Sequence, residues 1–423
     1  MTVRMSRLVA AGLLLSAVVT AAPANAAGTG AVGIDFHQWR TFTVGEFAGT
    51  RPADGGLVIA RPTGTTDYTD PTLGTTRSYD HATWTSPERR ITFGATQLVA
   101  SWNATTPAGT WLQVEMRGTT DTGTQTKWYV MGRWASGDAD IHRTSVSGQT
   151  DADGTVSVDT FQAATGRTIH AYRLRVTLYR AAGSPATPTL RMVGAMTSAV
   201  PDRFTVPASP PGGAEGITLP VPTYSQDIHT GQYPQYDGGG EAWCSPTSTE
   251  MVVEYWGKHP DAGQLSWVDP SYADPSVDVA ARGTYDYDYQ GAGNWPFNAA
   301  YAASYGLDAH VTRLHSLDEL ESYVRHGIPV ITSQSFLSSE LTGANYSTSG
   351  HLMVVVGFTR AGDVIVNDPA SATDAGVRSV YQRHQFETVW LRTKRHLADG
   401  SVAGGSGGVV YLITPHGMPL PPA

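Results

Sequence analysis

The sequence predicts two domains, an N-terminal antiparallel β-sandwich of jelly-roll type followed by an α+β domain. Three observations support this fold class. The chain has 423 residues, which is more than a single hydrophobic core usually organises. Its first half contains short stretches of alternating apolar and polar residues, whereas its second half has both helical and strand patterns. Between them, residues 201–216 are rich in proline and glycine, which is typical of a linker.

The predicted β-sandwich covers residues 28–200. Alternation with a period of two marks strands at residues 97–102, 111–116 and 172–179, each with one buried and one solvated face. Clusters of Gly and Asp separate these stretches and favour turns. Six of the 11 Trp residues lie in this half, and we expect most of them in the core. The alternative is that exposed rings stack on sugars, so cell-wall or polysaccharide ligands are candidate partners of this domain.

The first 26 residues have the features of a secretory signal peptide. Arg4 and Arg7 give a positive start, residues 8–22 are uncharged and mostly apolar, and Ala24 and Ala26 form a small-x-small cleavage pattern. The apolar run is about 15 residues, whereas a membrane helix needs about 20. We therefore expect cleavage near Ala26, a secreted protein and no membrane span after cleavage. A retained signal anchor is the alternative.

Composition argues against several functional classes. The chain has 28 Lys and Arg against 37 Asp and Glu, so it has no general attraction for nucleic-acid phosphates. With a net charge of only −9 and 40 aromatic residues (11 Trp, 19 Tyr and 10 Phe), it has the composition of a folded protein. It has one Cys, no His-Glu-x-x-His motif and no glycine-rich phosphate loop with Lys. We expect no metal, no cofactor and no nucleic-acid partner.

The single cysteine, Cys244, lies where a helix is predicted to begin. Pro246 suits the first helical turn, apolar residues recur at i,i+4 up to Trp256, and Gly257 stops the pattern. The free backbone amides at a helix N-terminus favour an anion, and so a reactive thiolate. The alternative is a small buried side chain without chemistry. The position at the helix start favours a nucleophile.

A nucleophilic thiol needs a base, and His351 is the best candidate among 13 His residues. It precedes an apolar strand at 352–358, which a turn at 359–363 connects to a second strand at 364–366. If these strands form a hairpin, Asp368 lies at the same end of the sheet as His351. The alternative is that Asp368 only forms a turn before Pro369.

Two other segments of the second half carry patterns. Ser316 and Glu319 fit a capping box before a helix that ends at Gly327. Residues 267–297 are rich in aromatic and acidic residues, and they either line a substrate cleft or form a surface loop.

The second half resembles papain-like cysteine peptidases of the bacteriocin-leader peptidase superfamily, in the secreted stand-alone branch called the C39-like peptidase family. The resemblance covers residues 217–415. It rests on four motifs: Val221-Pro222-Thr223-Tyr224-Ser225-Gln226, Cys244-Ser245-Pro246-Thr247-Ser248, Gly350-His351-Leu352-Met353-Val354-Val355 and Val366-Asn367-Asp368-Pro369.

The resemblance implies a papain-like fold and a secreted peptidase that hydrolyses peptide bonds through a thioester acyl-enzyme. It implies Cys244 as nucleophile, His351 as general base and acid, and Asp368 as the group that orients the imidazole. It also implies Gln226 as oxyanion donor, with Gln232 and Gln235 as alternatives. The substrate would be a peptide or protein. A papain-fold acyltransferase, a cell-wall amidase and an inactive cell-surface binding protein are the alternative functions.

Overall fold

The computed structural model describes residues 31–422. The predicted signal peptide, residues 1–26, lies outside the described residues. From residue 33 to residue 199 the described chain forms fourteen strands: β1 (Gly33–Trp39), β2 (Glu46–Ala48), β3 (Thr50–Ala53), β4 (Gly56–Ile59), β5 (Gly64–Thr69), β6 (Thr76–Thr85), β7 (Arg89–Ala95), β8 (Gln97–Thr105), β9 (Thr110–Thr120), β10 (Tyr129–Trp134), β11 (Gly154–Ser157), β12 (Thr160–Ala163), β13 (Ile169–Ala181) and β14 (Thr189–Ala199).

These strands form two antiparallel sheets that share one core. The first has the order β11-β12-β8-β14-β4-β3, with β1 also pairing with β14. The second has the order β10-β9-β13-β6-β2, with β5 on β6 and β7 on β13. Apolar residues of both sheets, including Trp102 and Val176, belong to one buried cluster. The predicted antiparallel sandwich is confirmed, whereas its jelly-roll type stays a prediction. Five of the six Trp residues are buried, as expected from the alternation.

Strand β8 differs from the predicted pattern, because both of its faces are buried. Leu98, Ala100 and Trp102 point into the sandwich core. The intervening Ser101 and Asn103 face the C-terminal half of the chain and are also fully buried. The prediction of a solvated face was wrong for this strand, because that face contacts the rest of the protein.

The C-terminal half mixes helices with a six-stranded antiparallel sheet of order β15-β22-β16-β17-β18-β19. A separate two-stranded ribbon pairs β20 with β21. The elements are α1 (Cys244–Tyr255), α2 (Ala262–Leu265), α3 (Pro275–Thr284), α4 (Trp295–Ser304), β15 (Leu307–Arg313), α5 (Leu317–Arg325), β16 (Val330–Phe336), β17 (Thr348–Phe358), β18 (Val364–Asn367), β19 (Arg378–Tyr381), α6 (Arg383–Leu391), β20 (Lys394–His396), β21 (Val402–Gly404) and β22 (Val409–Pro415).

Two predicted helices are present. Helix α1 begins at Cys244, and all of its residues from Cys244 to Val253 are buried, so it is covered on every side and not only on one apolar face. Helix α5 begins after Ser316, whose hydroxyl accepts a hydrogen bond from Glu319 N. The carboxylate of Glu319 accepts from His315 N, so the reciprocal bond of the capping box is displaced by one residue.

The open edge of the six-stranded sheet is covered by the N-terminal sandwich. Strand β15 is the edge strand, and an unpaired edge would leave backbone groups without partners. The amide of Asn103 donates to the carbonyl of Ala309 at 2.7 Å and accepts from its N–H at 3.2 Å. The hydroxyl of Ser101 accepts from Val311 N at 2.9 Å. Side chains of β8 therefore replace a neighbouring strand.

The segment 201–216 contains no helix or strand but is bonded to the C-terminal half. The carbonyl of Arg203 accepts hydrogen bonds from the backbone N–H groups of Thr393 and Lys394, and its own N–H donates to the Thr393 hydroxyl. Ser209 N donates to Glu387, and Ala214 N donates to Glu321. These contacts hold the proline- and glycine-rich segment against the surface. Among the described residues, no helix combines the length and apolar composition that a membrane crossing requires.

Candidate active site

Cys244 is the first residue of α1 and is 8% exposed. A 3₁₀ turn at Gly240–Trp243 leads directly into it. The indole of Trp243 is buried and donates to the carbonyl of Tyr236 at 2.7 Å, which anchors the residue before the thiol. The backbone amides of the first helical turn lack intrahelical partners, so the position favours an anion. The predicted helix start is confirmed.

Three glycines shape the approach to Cys244. Gly238, Gly239 and Gly240 all have positive φ angles, of 78°, 67° and 55°. A Cβ atom at Gly239 would lie 1.9 Å from the carbonyl oxygen of His229. The backbone therefore passes close to another segment in a conformation that L side chains rarely adopt. These glycines allow the tight path that places Cys244 at the helix start.

His351 lies on β17, and Asp368 follows the end of β18. The two strands form the predicted antiparallel hairpin, with a bulge between Val355 and Gly357. The Nε2 atom of His351 lies 2.8 Å from Oδ1 of Asp368, and both side chains are almost fully buried. The proximity that the hairpin predicted is a direct hydrogen bond.

The His351 ring also interacts with Cys244. Burial by itself lowers the pKa of His351, but the Asp368 carboxylate and the Cys244 thiol together outweigh burial and raise it to about 10. Because Nε2 bonds Asp368, the Nδ1 atom is the one left for the thiol. The arrangement favours an imidazolium next to the sulfur of Cys244.

Asp368 is held from several directions. The hydroxyls of Tyr346 and Tyr381 donate to its Oδ2 atom at 2.9 and 2.6 Å, and Ala370 N donates to Oδ1 at 3.1 Å. Burial alone would raise the pKa of Asp368, yet the charge of His351 and these hydrogen bonds lower it. The carboxylate is therefore kept ionised and fixed in orientation.

Helix α1 is tied to the sheet next to the histidine. The Ser248 hydroxyl donates to the carbonyl of Leu352 at 3.1 Å, one residue after His351. The hydroxyl of Ser245 lies 2.9 Å from that of Tyr411 on β22. These bonds fix the distance between the strand with the imidazole and the helix with the thiol.

Gln226 is placed beside this group. Its backbone N–H donates to the carbonyl of Pro369 at 2.9 Å, its side chain is 1% exposed, and its Oε1 atom is buried without a hydrogen-bond partner. Of the alternatives, Gln232 bonds the ring of His229 at 2.9 Å, and Gln235 is exposed. Gln226 is not among the residues that line the cleft described next, and its role as oxyanion donor stays a prediction.

Cys244 and His351 both open into a cleft of about 880 Å³. Its walls come from the turn before α1, the loop before α4, the ends of β16 and β17 and the segment after β21. The lining residues are Pro234, Asp237, Glu241, Ala242, Cys244, Tyr285, Tyr289, Gln290, Gly291, Ala292, Gly293, Trp295, Ser333, Gln334, Ser335, Ser349, Gly350, His351, Leu352, Gly404, Gly405 and Ser406. Part of the aromatic segment 267–297 therefore lines the cleft, which was one of the two predicted alternatives.

Comparison with protein families matches both halves of the chain. Residues 35–198 match the Peptidase C39 N-terminal domain, and residues 218–398 match the Peptidase_C39 like family. The second half of the chain belongs to the C39-like peptidase family. This confirms the family resemblance of the second half, and it extends the relationship to the N-terminal half, for which the sequence had indicated only a β-sandwich.

Comparison with curated proteins gives no match. Among solved structures, one described as a C39-like peptidase from Bacillus anthracis is 18% identical, with a TM-score of 0.28, and the alignment covers 46% of this chain and 96% of that chain. The structure of infectious bursal disease virus Gt strain is 13% identical, with a TM-score of 0.19, over 39% and 32% of the two chains.

Several residues at the site have no signal in the sequence. Tyr346 lies 22 residues before Asp368 and Tyr381 lies 13 residues after it, and both side chains reach Asp368 only through the pairing of the strands and loops around it. Gln334 lies on β16 directly opposite His351. To identify Gln334 from the sequence, the pairing register between the strand that begins at 328–331 and the strand that contains His351 would have to be known. No periodicity or motif marks these three side chains.

Proposed function

We propose that this C39-like family member is a cysteine peptidase that hydrolyses peptide bonds, with a papain-like catalytic half. One observation carries the proposal. A lone thiol at a helix N-terminus shares a cleft with a buried imidazole, and Asp368 bonds that imidazole through Nε2 at 2.8 Å. A nucleophile, a base and a group that orients the base are the parts required for acyl transfer.

In the first half of the reaction, the sulfur of Cys244 attacks the carbonyl carbon of the scissile peptide bond. The carbonyl oxygen becomes an oxyanion, which the Cys244 backbone N–H and the Gln226 amide would stabilise. The C–N bond then breaks, and the imidazolium of His351 gives its proton to the leaving amine. The acyl group remains on sulfur as a thioester.

In the second half, His351 accepts a proton from a water molecule that attacks the thioester. The C–S bond breaks, the carboxylic acid product leaves, and the thiolate and imidazolium are restored. Asp368 holds the ring so that Nδ1 faces sulfur throughout. Its hydrogen bonds from Tyr346 and Tyr381 prevent it from turning toward other donors.

Alkylation of the single cysteine tests the assignment directly, because every label reports on Cys244. We expect iodoacetamide to react with the wild type at mildly acidic pH, and the rate to fall at least ~10-fold in His351→Ala. Equal rates in the two proteins would contradict the thiol–imidazole pair. The Cys244→Ala variant is the labelling control.

Cleavage of a peptide library followed by mass spectrometry tests the reaction. We expect hydrolysis products with the wild type and none with Cys244→Ala. Amide products formed only with added amines would indicate an acyltransferase, and products from peptidoglycan alone would indicate a cell-wall amidase. If alkylation is slow and no product forms, a binding protein is the better interpretation.

Secretion and wall binding are separate parts of the proposal. Export with removal of residues 1–26 is tested by the N-terminal sequence of protein recovered from the culture medium. The N-terminal half is tested by retention on peptidoglycan and on polysaccharides. Intact protein that stays with the cells, or a retained first segment, would contradict export.

A further inference from the structure

Two carboxylates give the cleft beside Cys244 negative charge, and the His351 imidazolium that also lines the cleft is already paired with Asp368. Asp237 and Glu241 line it, and no Lys or Arg is among its lining residues in the part of the chain that the structure describes. Asp227 lies close enough for its charge to interact with both Glu241 and His351. Within residues 31–422, neither Asp237 nor Glu241 has an ion-pair partner. The cleft is therefore complementary to a positive group.

The aromatic residues of the cleft fit the same kind of group. Tyr285 and Tyr289 line the wall near Asp237, whose charge interacts with both hydroxyls. Tyr289 is 40% exposed, so its ring is available to a ligand. The face of an aromatic ring attracts a Lys ammonium or an Arg guanidinium. Carboxylates and rings together recognise a basic side chain.

A second, independent observation is the amide of Gln334. This side chain is 1% exposed, and neither its oxygen nor its nitrogen has a hydrogen-bond partner. Gln334 pairs directly with His351, and opposite residues of an antiparallel pair point to the same face of the sheet. The amide thus shares the face of the imidazole and lines the cleft. Buried amides without partners are uncommon, and a bound peptide group supplies both a donor and an acceptor.

We propose that the cleft binds an extended peptide with a Lys or Arg next to the scissile bond. Gln334 bonds the main chain of the substrate, and Asp237 and Glu241 bind its basic side chain. This assignment names the substrate class of the proposed peptidase and rests on that function.

Binding and cleavage are measured separately, so that the two proposals fail in different ways. Fluorescent peptides with Lys, norleucine or Glu at one position are titrated into Cys244→Ala by anisotropy, and the same peptides are cleaved by wild type. We expect the Lys peptide to bind and react at least ~10-fold better than the Glu peptide, with the advantage reduced at high salt. Binding of the Lys peptide without cleavage would contradict only the peptidase.

Three variants locate the contacts. In Glu241→Gln and Asp237→Asn, the ratio of Lys to norleucine affinity should fall about 3- to 10-fold, whereas Asp54→Asn, an exposed carboxylate in the turn after β3, should leave it unchanged. In Gln334→Met, affinity for all peptides should fall about 10-fold without a change in that ratio. Equal binding of the Lys and Glu peptides would overturn the proposal, as would an unchanged ratio in both charge variants.

A different set of contacts concerns the N-terminal half. Residues 285–295, here called the cleft-wall loop, line the cleft on one side and contact the sandwich on the other. Ser145 N donates to Oδ1 of Asp286 at 2.9 Å, and Tyr287 N donates to the carbonyl of Arg143 at 3.2 Å. The rings of His142 and Tyr287 lie 3.9 Å apart. The sandwich therefore contacts the cleft-wall loop at Asp286 and Tyr287.

Asp159 makes the contact at the end of the loop. Its Oδ2 atom accepts a hydrogen bond from Trp295 N at 2.8 Å, at the first turn of α4, and its side chain is buried. A carboxylate at a helix N-terminus satisfies a free amide and opposes the helix dipole. Asp159 lies in the turn between β11 and β12 of the sandwich, yet its carboxylate fixes a wall of the cleft in the C-terminal half.

The geometry points to the N-terminal half as a built-in part of the active site. Asp159 is a positioning residue that holds the cleft-wall loop in its substrate-binding place. Its matched control is Asn103, which makes two hydrogen bonds across the same junction at β15, away from the loop. Asp159→Asn keeps an oxygen acceptor for Trp295 N, whereas Asp159→Ala removes it.

In the full-length protein, we expect Asp159→Ala to raise KM at least ~10-fold with kcat changed less than about 3-fold, and Asp159→Asn to restore most of the loss. Hydrogen exchange of residues 285–295 should be faster in Asp159→Ala, a readout that does not need a substrate. Asn103→Ala weakens the junction only at β15, so below its first unfolding transition it should leave both KM and loop exchange unchanged. The inference would be overturned if Asp159→Ala exchanged like wild type, or if Asn103→Ala produced the same changes.

Discussion

The Tyr381 hydroxyl donates a 2.6 Å hydrogen bond to Oδ2 of Asp368, the oxygen that His351 does not contact. Each oxygen of the carboxylate thus has its own donors. A carboxylate that accepts several hydrogen bonds in a buried site stays ionised to lower pH than an exposed one. Tyr381 is the last residue of β19, the strand next to β18, so the sheet itself supports the charge that orients His351.

Replacement of Tyr381 by Phe should make the protein more sensitive to acid. The pKa of Asp368 is lowered in the folded state, so its contribution to stability is present above the unfolded pKa and is lost as pH falls through the folded pKa. Without the Tyr381 bond that pKa rises, and the free energy of unfolding at neutral pH should fall by about 1.5–3 kcal/mol. Urea unfolding at several pH values measures both effects.

The control for this change is Tyr323→Phe. Tyr323 belongs to the same hydrophobic core but does not bond Asp368. Removal of the Tyr323 hydroxyl should not change the pH at which half of the protein is unfolded. An acid midpoint in Tyr381→Phe equal to that of wild type would mean that the bond does not support the carboxylate.

Asp159 should make stability depend on pH in the opposite direction. Burial raises its pKa from 3.8 to about 6, because the folded site disfavours the charged form despite the bond from Trp295 N. Below the unfolded pKa, both states are protonated and there is no penalty. As pH rises through about 6, wild type should lose about 3 kcal/mol relative to Asp159→Asn, by 1.36 kcal/mol per pKa unit.

Unfolding free energies of wild type and Asp159→Asn, measured between pH 4 and pH 7, test the direction of this pH dependence. This pH range is used because the pKa of Asp159 shifts from 3.8 in the unfolded chain to about 6 in the folded protein. The difference between the two proteins should grow with pH and then level off. If the difference in unfolding free energy were constant between pH 4 and pH 7, the pKa of Asp159 would not be raised in the folded protein.

Local features of the candidate site were predictable where they depend on adjacent residues. The start of α1 at Cys244 follows from Pro246, the i,i+4 apolar pairs and Gly257. The His351–Asp368 contact follows from two apolar strands joined by a short turn, because a hairpin brings its open ends together. Both predictions use sequence separations of fewer than 20 residues.

Contacts between distant segments were not predictable. The burial of both faces of β8 depends on β15, about 200 residues later, and alternation alone cannot tell a solvated polar face from one that meets another domain. The same holds for Asp159, because no sequence pattern connects it to α4, which begins 136 residues later. Periodicity reports on local faces and carries no information about which segments meet.

Asn103→Ala should weaken the junction between the two halves. The change removes both hydrogen bonds of the Asn103 amide and leaves the buried N–H and C=O of Ala309 without partners, at a cost of about 2–4 kcal/mol. We expect wild type to unfold in one transition, because β8 and β15 share a buried interface. In the variant, the sandwich and the second half should unfold separately.

Calorimetry measures this coupling, with Thr187→Ala as a control. The Thr187 hydroxyl accepts a hydrogen bond from Ile59 N inside the sandwich and does not cross the junction. That control should lower the stability of the sandwich without changing the relation between the two transitions. A single sharp transition in Asn103→Ala, with the wild-type midpoint, would contradict a role for the amide in coupling.

Gly239→Ala should displace Cys244 through the backbone alone. A methyl group there would lie 1.9 Å from the carbonyl oxygen of His229, and φ is +67°, so both the contact and the conformation oppose any side chain. Gly238 has a similar φ of +78°, but its nearest neighbour would be 4.0 Å away. Gly238→Ala therefore isolates the conformational cost, about 1 kcal/mol, from the collision.

The alkylation rate of Cys244 measures the displacement. We expect this rate to fall at least ~10-fold in Gly239→Ala and less than about 3-fold in Gly238→Ala. Circular dichroism confirms that both variants fold. Similar rates in the two variants would show that the thiol does not depend on this close approach.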